Sequence, residues 1–370
     1  MATTITAAVA RTHKAPFSIE TLDLDDIRPN EARVRLIATG VCHTDAIVRD
    51  GVFPTPLPAV LGHEGAGIVE AVGSGIRNVR AGDHVILSAA YCTYCVQCRS
   101  GNVAYCENLL AEDFGGSRTV DGSRSLRTAG GEAISSHFFG QSSFATYANV
   151  VESSLVVVDK DVPLDTIGFI GCGIQTGAGA ILNEMRPPAG SSVAVSGAGA
   201  VGLAALMAAR VSGATTIVAI DLHDSRLDLA REMGATHAIN ARTSDTLEEL
   251  MRITNGKGVN YILDTTAIPK VLSNLAKALA IRGTLALVGA SPFGTEAPFE
   301  IGASLARGWT FKTLIQGSSV PQQFIPRLVS LWKAGLFPVE KLTRPYGLGD
   351  INQGFDDSAS GQVVKPVIVF

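Results

Sequence analysis

Residues 192–221 read SVAVSGAGAVGLAALMAARVSGATTIVAID, and the way this stretch changes its period decides the fold. Ser192 to Ser196 is a short apolar run rich in valine, the pattern of a strand buried on both faces. Gly197-Ala198-Gly199-Ala200-Val201-Gly202 follows at once, then Leu203 to Val211 as a small-residue helix and Thr215 to Asp221 as a second strand. Glycines between strand and helix allow a tight turn, let backbone approach a pyrophosphate and let the helix pack on the sheet. The helix N-terminus then offers free N–H groups to the anion. In a chain with 39 glycines the motif alone is weak, but its place between strand and helix makes Gly197, Gly199 and Gly202 a candidate dinucleotide loop. Asp221 ends the second strand, where a carboxylate accepts from both ribose hydroxyls and repels a 2′-phosphate. NAD is therefore expected over NADP, a preference that nearby Arg226 weakens.

The alternation continues downstream with a helix around Leu227 to Met233 and a strand from Asn260 to Asp264. A helix from Ile268 to Ala280 follows, and Gly283 to Val288 closes the series. Apolar strands alternating with helices predict an α/β, doubly wound parallel sheet. The sequence before Cys172 differs: strands such as Ala32 to Ile37 are short, Gly and Pro recur, and Asp113 to Gly131 reads as loop rather than core. The tail, Val363 to Phe370, alternates like a strand and is expected to pair with the first domain. The predicted layout is a β-rich domain over residues 1-173 and 315-370, with the doubly wound domain, 174-314, inserted between them.

With 370 residues, 46% of them hydrophobic, the chain holds more than one compact core usually does. The net charge of −4 and the lack of a Lys/Arg run argue against a nucleic-acid partner. Apolar runs are broken well before the ~18 residues of a membrane span. The N-terminus lacks the pattern of a signal peptide, so a cytoplasmic protein is expected.

Cys92-x-x-Cys95-x-x-Cys98, with Cys106 close behind, supplies four thiols, three of them too near one another along the chain for sensible disulfides with one another. A turn carrying them wraps a tetrahedral Zn²⁺ with no open position, a structural site; the alternative is a set of free or redox-active thiols. Two cysteines remain. Cys42 opens Cys42-His43-Thr44-Asp45, His63 lies in Gly62-His63-Glu64, and Cys172 stands between two glycines. Two thiolates and an imidazole leave the open fourth position that a catalytic zinc needs. Singly, such a Cys reads as a small buried hydrophobe and such a His as a hydrogen-bonded fixture. Together with the glycine loop and the four-cysteine cluster they point to metal-assisted hydride chemistry on an alcohol, whose oxygen a Lewis acid makes more acidic.

The motifs GVCHTD, GHEGAG, the four-cysteine lobe, GCG-x-x-T-G and GAGAVG occur in the order found in zinc-containing medium-chain alcohol dehydrogenases. The chain resembles that family over essentially its whole length. CHTDAIVRD, LPAVLGHEG, HFFGQSSFATYA and GCGIQTGAGA are similar to the bacterial aryl-alcohol (benzyl alcohol) dehydrogenases. The resemblance implies a GroES-like catalytic domain, a Rossmann coenzyme domain and two zinc ions per chain. It implies catalytic zinc on Cys42, His63 and Cys172, with Glu64 behind the metal and Asp45 orienting His63. Thr44 would hydrogen-bond the substrate oxygen. His43 and Lys365 would face the cofactor pyrophosphate, Thr176 and Val201 would press on the nicotinamide, and Val288 would contact the cofactor.

By the same resemblance, Phe53, Ser88 and Phe138 lie near the substrate pocket, and a small Ser88 beside two aromatics suits a flat benzyl, cinnamyl or allylic alcohol. A glutathione-dependent formaldehyde dehydrogenase shares this scaffold but wants cationic residues at the pocket mouth, and none is identified. A non-catalytic binding relative is the other alternative; such proteins lose zinc ligands, whereas all seven candidates are present. Gly283 to Phe299 is expected to pair edge to edge with a second copy, in a homodimer or homotetramer.

One position departs from many family members. Where they carry a proton-passing His after the first ligand Cys, this chain has Ile47, as the aryl-alcohol branch has an aliphatic residue. The proton must then leave through Thr44, the ribose hydroxyls and water, or through another base. Ile47→His is expected to change the pH dependence of turnover, and a pH–rate profile identical to the parent's would exclude any relay role for this position.

Overall fold

The structure, a computed structural model, describes residues 3–370. Its contacts divide the chain into two units. One takes in the chain up to Cys172 with Val320–Ser330 and Val339–Phe370; the other comprises Gly173–Ser319 and Leu331–Pro338. The return to the first unit, expected near residue 315, thus comes at Val320, and residues 331–338 go with the second.

In the second unit six strands form one parallel sheet: Ser192–Ser196, Thr216–Asp221, His237–Asn240, Val259–Asp264, Leu279–Leu287 and Thr310–Thr313. Counted along the chain, they lie in the order 3-2-1-4-5-6, the doubly wound arrangement that opens a ligand crevice where the order reverses, beside the first strand. Val193, Ala194 and Val195 are buried, as a central strand covered on both faces requires. The helix Ala200–Val211 buries every residue from Gly202 to Ala209, and its alanines let it lie close against the sheet. Two strands escape the sequence reading, which ended the series at Val288. His237–Asn240 is too short to show a period, and Thr310–Thr313 is a polar, largely exposed edge.

The first unit holds two largely antiparallel sheets. One runs Ala59–Val60, Thr3–Ala10, Ser18–Leu24, Leu126–Arg127 and Ala133–Ile134. The other centres on Glu31–Gly40, which pairs with Gly65–Val72, Tyr147–Val151 and the C-terminal strand Lys365–Val369. Val367 lies opposite Gly40, so the tail closes the sheet that carries the approach to Cys42. Among the described residues no helix is long and apolar enough to cross a membrane.

The segment Asp113 to Gly131 is not the peripheral loop its composition suggested. Asp113, Phe114, Arg118, Ser125 and Leu126 are all buried. Arg118 is tolerated there because carboxylates meet it on two sides. Its Nε and Nη2 donate to Glu31 at 2.7 and 3.0 Å, and its Nη1 and Nη2 donate to Asp25 at 2.9 and 2.8 Å. Glu31, 1% exposed, also accepts from the backbone N–H of Arg28 at 2.9 Å and from His137 Nε2 at 2.8 Å. Burial opposes its ionisation, but His137 and Arg118 outweigh it and hold the carboxyl at about 2. A folded pKa below the unfolded one stabilises above the unfolded value, and that stability is lost as pH falls toward the folded value. Glu31→Gln is therefore expected to cost on the order of 2 kcal/mol in urea unfolding at pH 7. The gap to the parent should stay constant down to about pH 5 and narrow between about pH 4.5 and 2; a gap that closes near pH 6 would contradict the assignment.

Candidate active site

The helix His43–Arg49 begins where the Glu31–Gly40 strand ends, with Cys42 as its N-cap. Asp45 closes the cap, its Oδ2 accepting from the Cys42 N–H at 3.0 Å. Its Oδ1 accepts from the Gly62 N–H at 3.0 Å and from His63 Nδ1 at 2.9 Å, all within a fully buried setting. A carboxylate only accepts, so Nδ1 carries the proton and Nε2 presents its lone pair. That Nε2 is buried and has no hydrogen-bond partner. Facing it are the sulfurs of Cys42 and Cys172, and ligand atoms of Cys42, His63, Glu64 and Cys172 all lie within 4.8 Å of one another. An orphaned imidazole nitrogen between two sulfurs fits a zinc ion.

Electrostatics point the same way. The Cys172 thiol donates to Cys42 and draws the Cys42 pKa well down, against burial and with help from His63, while Cys172 itself is pushed up as the pair's thiol. Burial disfavours a charged His63 ring, but Asp45 and Cys42 outweigh it and raise its pKa. The cluster therefore attracts positive charge, and a divalent cation would displace the protons that otherwise neutralise it. Cys172 is positioned through Gly171, where a Cβ would strike the Leu87 carbonyl, and through the Ser88 hydroxyl, which donates to Gly171 O at 2.7 Å. Gly40 is needed for the same kind of reason, since a Cβ there would strike the Glu64 carboxylate.

Behind the cluster, Lys365 Nζ donates to Glu64 at 2.7 Å and to Val41 O at 3.0 Å. Burial pushes Glu64 up to about 7, helped by Cys42 and resisted by Lys365. Lys365 is raised, because its attraction to Glu64 outweighs its own burial. The 2.7 Å contact is that of an ion pair, and a cation beside Glu64 would favour its carboxylate further.

Cys92, Cys95, Cys98 and Cys106 form a second such group, all buried and within 4.8 Å. Backbone N–H groups point at three of the sulfurs, each at 3.4 Å: Cys92 N and Asn108 N at Cys106, Cys95 N at Cys92, and Cys98 N at Cys95. Burial resists ionisation of Cys92, yet Asn108 and the N–H groups of Cys95 and Tyr94 bring its thiol down to about 6. Cys98 and Cys106 are instead pushed up by burial, so two of the thiols are drawn toward ionisation and two are not. Four converging sulfurs in a closed tetrad fit a structural zinc.

In the second unit each loop glycine has its own reason. Gly197 adopts φ +91°, a Cβ on Gly202 would strike the Gly197 carbonyl, and a Cβ on Gly199 would enter open space at the helix N-terminus. That open space is where a pyrophosphate can approach backbone. Asp221 ties the loop to its strand, accepting from Ala198 N at 2.7 Å, Leu222 N at 2.7 Å and His223 N at 3.0 Å. Arg226 is half-buried one turn into the next helix, its pKa lowered by burial. Thr176 is buried in the helix Gly173–Gly179, Val201 lies in the first turn of Ala200–Val211, and Val288 donates its N–H to Asp264 O at 3.0 Å.

Comparison with known proteins agrees with this geometry. Residues 28–160 match the alcohol dehydrogenase GroES-like domain family and residues 200–333 the zinc-binding dehydrogenase family. The chain belongs to the zinc-dependent medium-chain alcohol dehydrogenases. It is 40% identical to a geraniol dehydrogenase of Castellaniella defragrans, over 98% of this chain and 97% of that one. A zinc-binding-domain alcohol dehydrogenase from Burkholderia ambifaria has 50% identity and a TM-score of 0.98, covering 100% of both chains. The benzyl alcohol dehydrogenase of Acinetobacter calcoaceticus has 45% identity and a TM-score of 0.96, over 100% of this chain and 99% of that one.

Within this dehydrogenase several expected contacts fall elsewhere. Lys365 is not held out toward a pyrophosphate; it is buried and committed to Glu64 and Val41, because an uncompensated carboxylate beside the thiols would be too costly. His43 is exposed on the first turn of its helix. Ser88 is fully buried with its hydroxyl on Gly171, so it braces Cys172 and does not shape the pocket through a free side chain. Phe138, 1% exposed, belongs to the core and meets His63 edge-on at 5.5 Å. Thr44 Oγ1 lies 3.8 Å from Cys42 Sγ, and Ile47 and Phe53 are half-buried nearby in sequence.

The sequence reading missed two further rings around His63 and Phe138. Phe139 stacks on the His63 ring at 4.4 Å, and Phe114 touches Phe138, Phe139 and Phe53 at 5.9, 5.1 and 5.3 Å. Asp113, next to Phe114, is buried with Oδ1 accepting from Ala90 N at 3.0 Å and Oδ2 unpartnered; burial keeps its pKa well up, resisted by Ala90 and His63. Only the doublet Phe138-Phe139 hinted at this wall. Asp45→Ala is expected to weaken zinc binding at the Cys42 site by about 10–100-fold in a chelator competition while sparing the four-cysteine lobe; equal affinity in parent and variant would remove Asp45 from the site.

Proposed function

We propose that this alcohol dehydrogenase oxidises a primary aromatic or allylic alcohol to its aldehyde with NAD, reversibly. The observation that carries the reading is the unpartnered His63 Nε2 between two thiols, with an aromatic wall against the same ring. Cys42, His63 and Cys172 would hold the zinc, which would supply Lewis acidity to the alcohol oxygen, and a nicotinamide bound in the second unit would take up the hydride. Thr44, beside Cys42, receives the hydrogen bond of the alcohol and hands its proton toward solvent. Asp45 holds the His63 tautomer, and Glu64 with Lys365 balances charge behind the ligands. Phe139 and Phe114 keep water from the reacting carbon and offer a flat face to a ring or an allylic double bond. The relatives named as geraniol and benzyl alcohol dehydrogenases support that substrate class.

NAD is favoured because Asp221 stays an acceptor where a 2′-phosphate would sit. The closed tetrad of cysteines holds the second zinc, giving two per chain. The strand in Gly283 to Phe299, expected to be a free edge, is flanked by Val259–Asp264 and Thr310–Thr313. The exposed edge is Thr310–Thr313, and with exposed Phe293, Ile301 and Leu305 nearby in sequence it supports a homodimer or homotetramer. Six unpaired thiols suit the cytoplasm.

The test is kcat/KM for ethanol, hexan-1-ol, benzyl alcohol, cinnamyl alcohol and geraniol, with NAD and NADP in parallel and zinc counted per chain. The expected result is two zincs, a preference for NAD, and at least a tenfold advantage, about 1.4 kcal/mol, of benzyl, cinnamyl or geranyl alcohol over hexan-1-ol. Equal values across the panel would overturn the substrate class, and one zinc or none would overturn the metal assignment.

A further inference from the structure

The turn 137–142 is the most contorted backbone in the first unit. His137, Phe139 and Ser142 adopt φ of 62, 52 and 54°, in the left-handed region that L side chains rarely enter, and Gly140 follows at 68°. Such a turn persists only where its surroundings over-determine it. The hydrogen bonds that do so run toward the active site. Gln141 Nε2 donates to the carbonyls of His63 and Ser88 at 3.0 and 3.1 Å, and its Oε1 accepts from Gly65 N at 3.1 Å. Ser142 Oγ accepts from Phe138 N at 2.9 Å and donates to Val60 O at 2.7 Å. Ser154 Oγ donates to Phe139 O at 3.1 Å. Between these ties the turn presents Phe138 edge-on and Phe139 flat to the His63 ring.

The start of the turn is held differently. His137, 3% exposed, donates from Nε2 to Glu31 Oε1 at 2.8 Å, and its Nδ1 lies 3.0 Å from Ser136 Oγ. Glu31 is itself immobile, accepting from Arg118 and from the Arg28 N–H. It sits at the start of the same strand, Glu31–Gly40, that ends just before Cys42. One strand therefore carries the helix cap with a candidate zinc ligand at one end and the anchor of the aromatic turn at the other.

We propose that Glu31 and His137 form a positioning clamp: by locking the left-handed turn 137–142 to the strand leading to Cys42, they hold Phe138 and Phe139 against His63, fixing both the orientation of that ligand and the flat wall that selects an aromatic substrate. This rests on the proposed zinc and substrate assignments. Neither residue touches substrate; both act through the turn.

The test uses the zinc-loaded enzyme with His137→Asn, which tolerates the left-handed backbone but is too short to reach Glu31, and separately Glu31→Gln. Asp25→Asn serves as control, because it removes a partner of Arg118 and leaves His137 alone. Two readouts are taken. One is the rate at which each of the two zincs is released to a chromogenic chelator; the other is the kcat/KM ratio of benzyl alcohol to hexan-1-ol. In both clamp variants the zinc held by His63 should leave at least threefold faster, the four-cysteine zinc should leave at the parental rate, and the ratio should fall tenfold or more. Asp25→Asn should match the parent in both. Parental release rates and ratio in the two clamp variants would overturn the clamp, as would an equal shift in Asp25→Asn, which would mean general loosening. A parent that does not prefer benzyl alcohol would sink the substrate reading, and zinc release alone would then judge the clamp. A parent that binds only the four-cysteine zinc would overturn the metal assignment and the clamp together.

Discussion

Three N–H groups end on the Asp45 carboxylate, and three separate requirements are met there. It caps the helix His43–Arg49 at Cys42, fixes the turn at Gly62, and takes the Nδ1 proton of His63. A fully buried carboxylate with fewer donors would be too costly to keep charged. With these it is a rigid acceptor that sets where Cys42 and His63 stand relative to each other. The geometry of the metal site is thus decided one layer behind the ligands, by a group that never meets substrate.

The same logic recurs around it. Glu64 answers Lys365, and Glu31 answers Arg118 and His137, all deep in the first unit. Buried ion pairs contribute little net stability compared with apolar packing, but they are directional and tolerate few alternatives. Loosely packed side chains would leave the sulfurs of Cys42 and Cys172 free to drift, and a catalytic metal site needs them within a few tenths of an ångström. Several buried charges here fix direction, and the candidate zinc ligands are held in place by them.

What could be read from sequence was what is local. The glycine loop, the four cysteines and the strand–helix alternation are each specified within a few dozen residues, and their roles follow from spacing. The capping pair Cys42–Asp45 is local too. What could not be read depends on long-range meetings: Glu31 with His137, Gln141 with His63, and Lys365 with Glu64. No periodicity marks them. Composition misled where polar residues are buried in pairs, as at Arg118, which in a Gly- and Ser-rich stretch looks like solvent-exposed loop. Phe139 was missed because its contact with His63 is made by a turn 76 residues further along the chain, which no local spacing marks. Thr310–Thr313 was missed because an exposed edge strand carries none of the apolar signal of the strands it joins.

The aromatic wall and Ile47 have a joint consequence for the proton. Thr44 and Ile47 lie three residues apart on one helix and so share a face. Neither Ile47 nor the rings of Phe114 and Phe139 carry a group that could pass a proton. Asp113, next to Phe114 in sequence, has its pKa pushed well up by burial, and its Oδ2 has no hydrogen-bond partner. On the proposed reading, the route from the alcohol therefore passes through the Thr44 hydroxyl and then the cofactor ribose to solvent, and does not cross the hydrophobic wall. A dry wall strengthens the electrostatics at the metal because fewer water dipoles compete there, and it makes a flat apolar substrate the natural occupant. On the same reading, selectivity for an aromatic or allylic alcohol and an aliphatic Ile47 in place of a relay histidine would follow from one arrangement: the surface proposed to recognise the substrate is also one with no side chain to carry a proton across it.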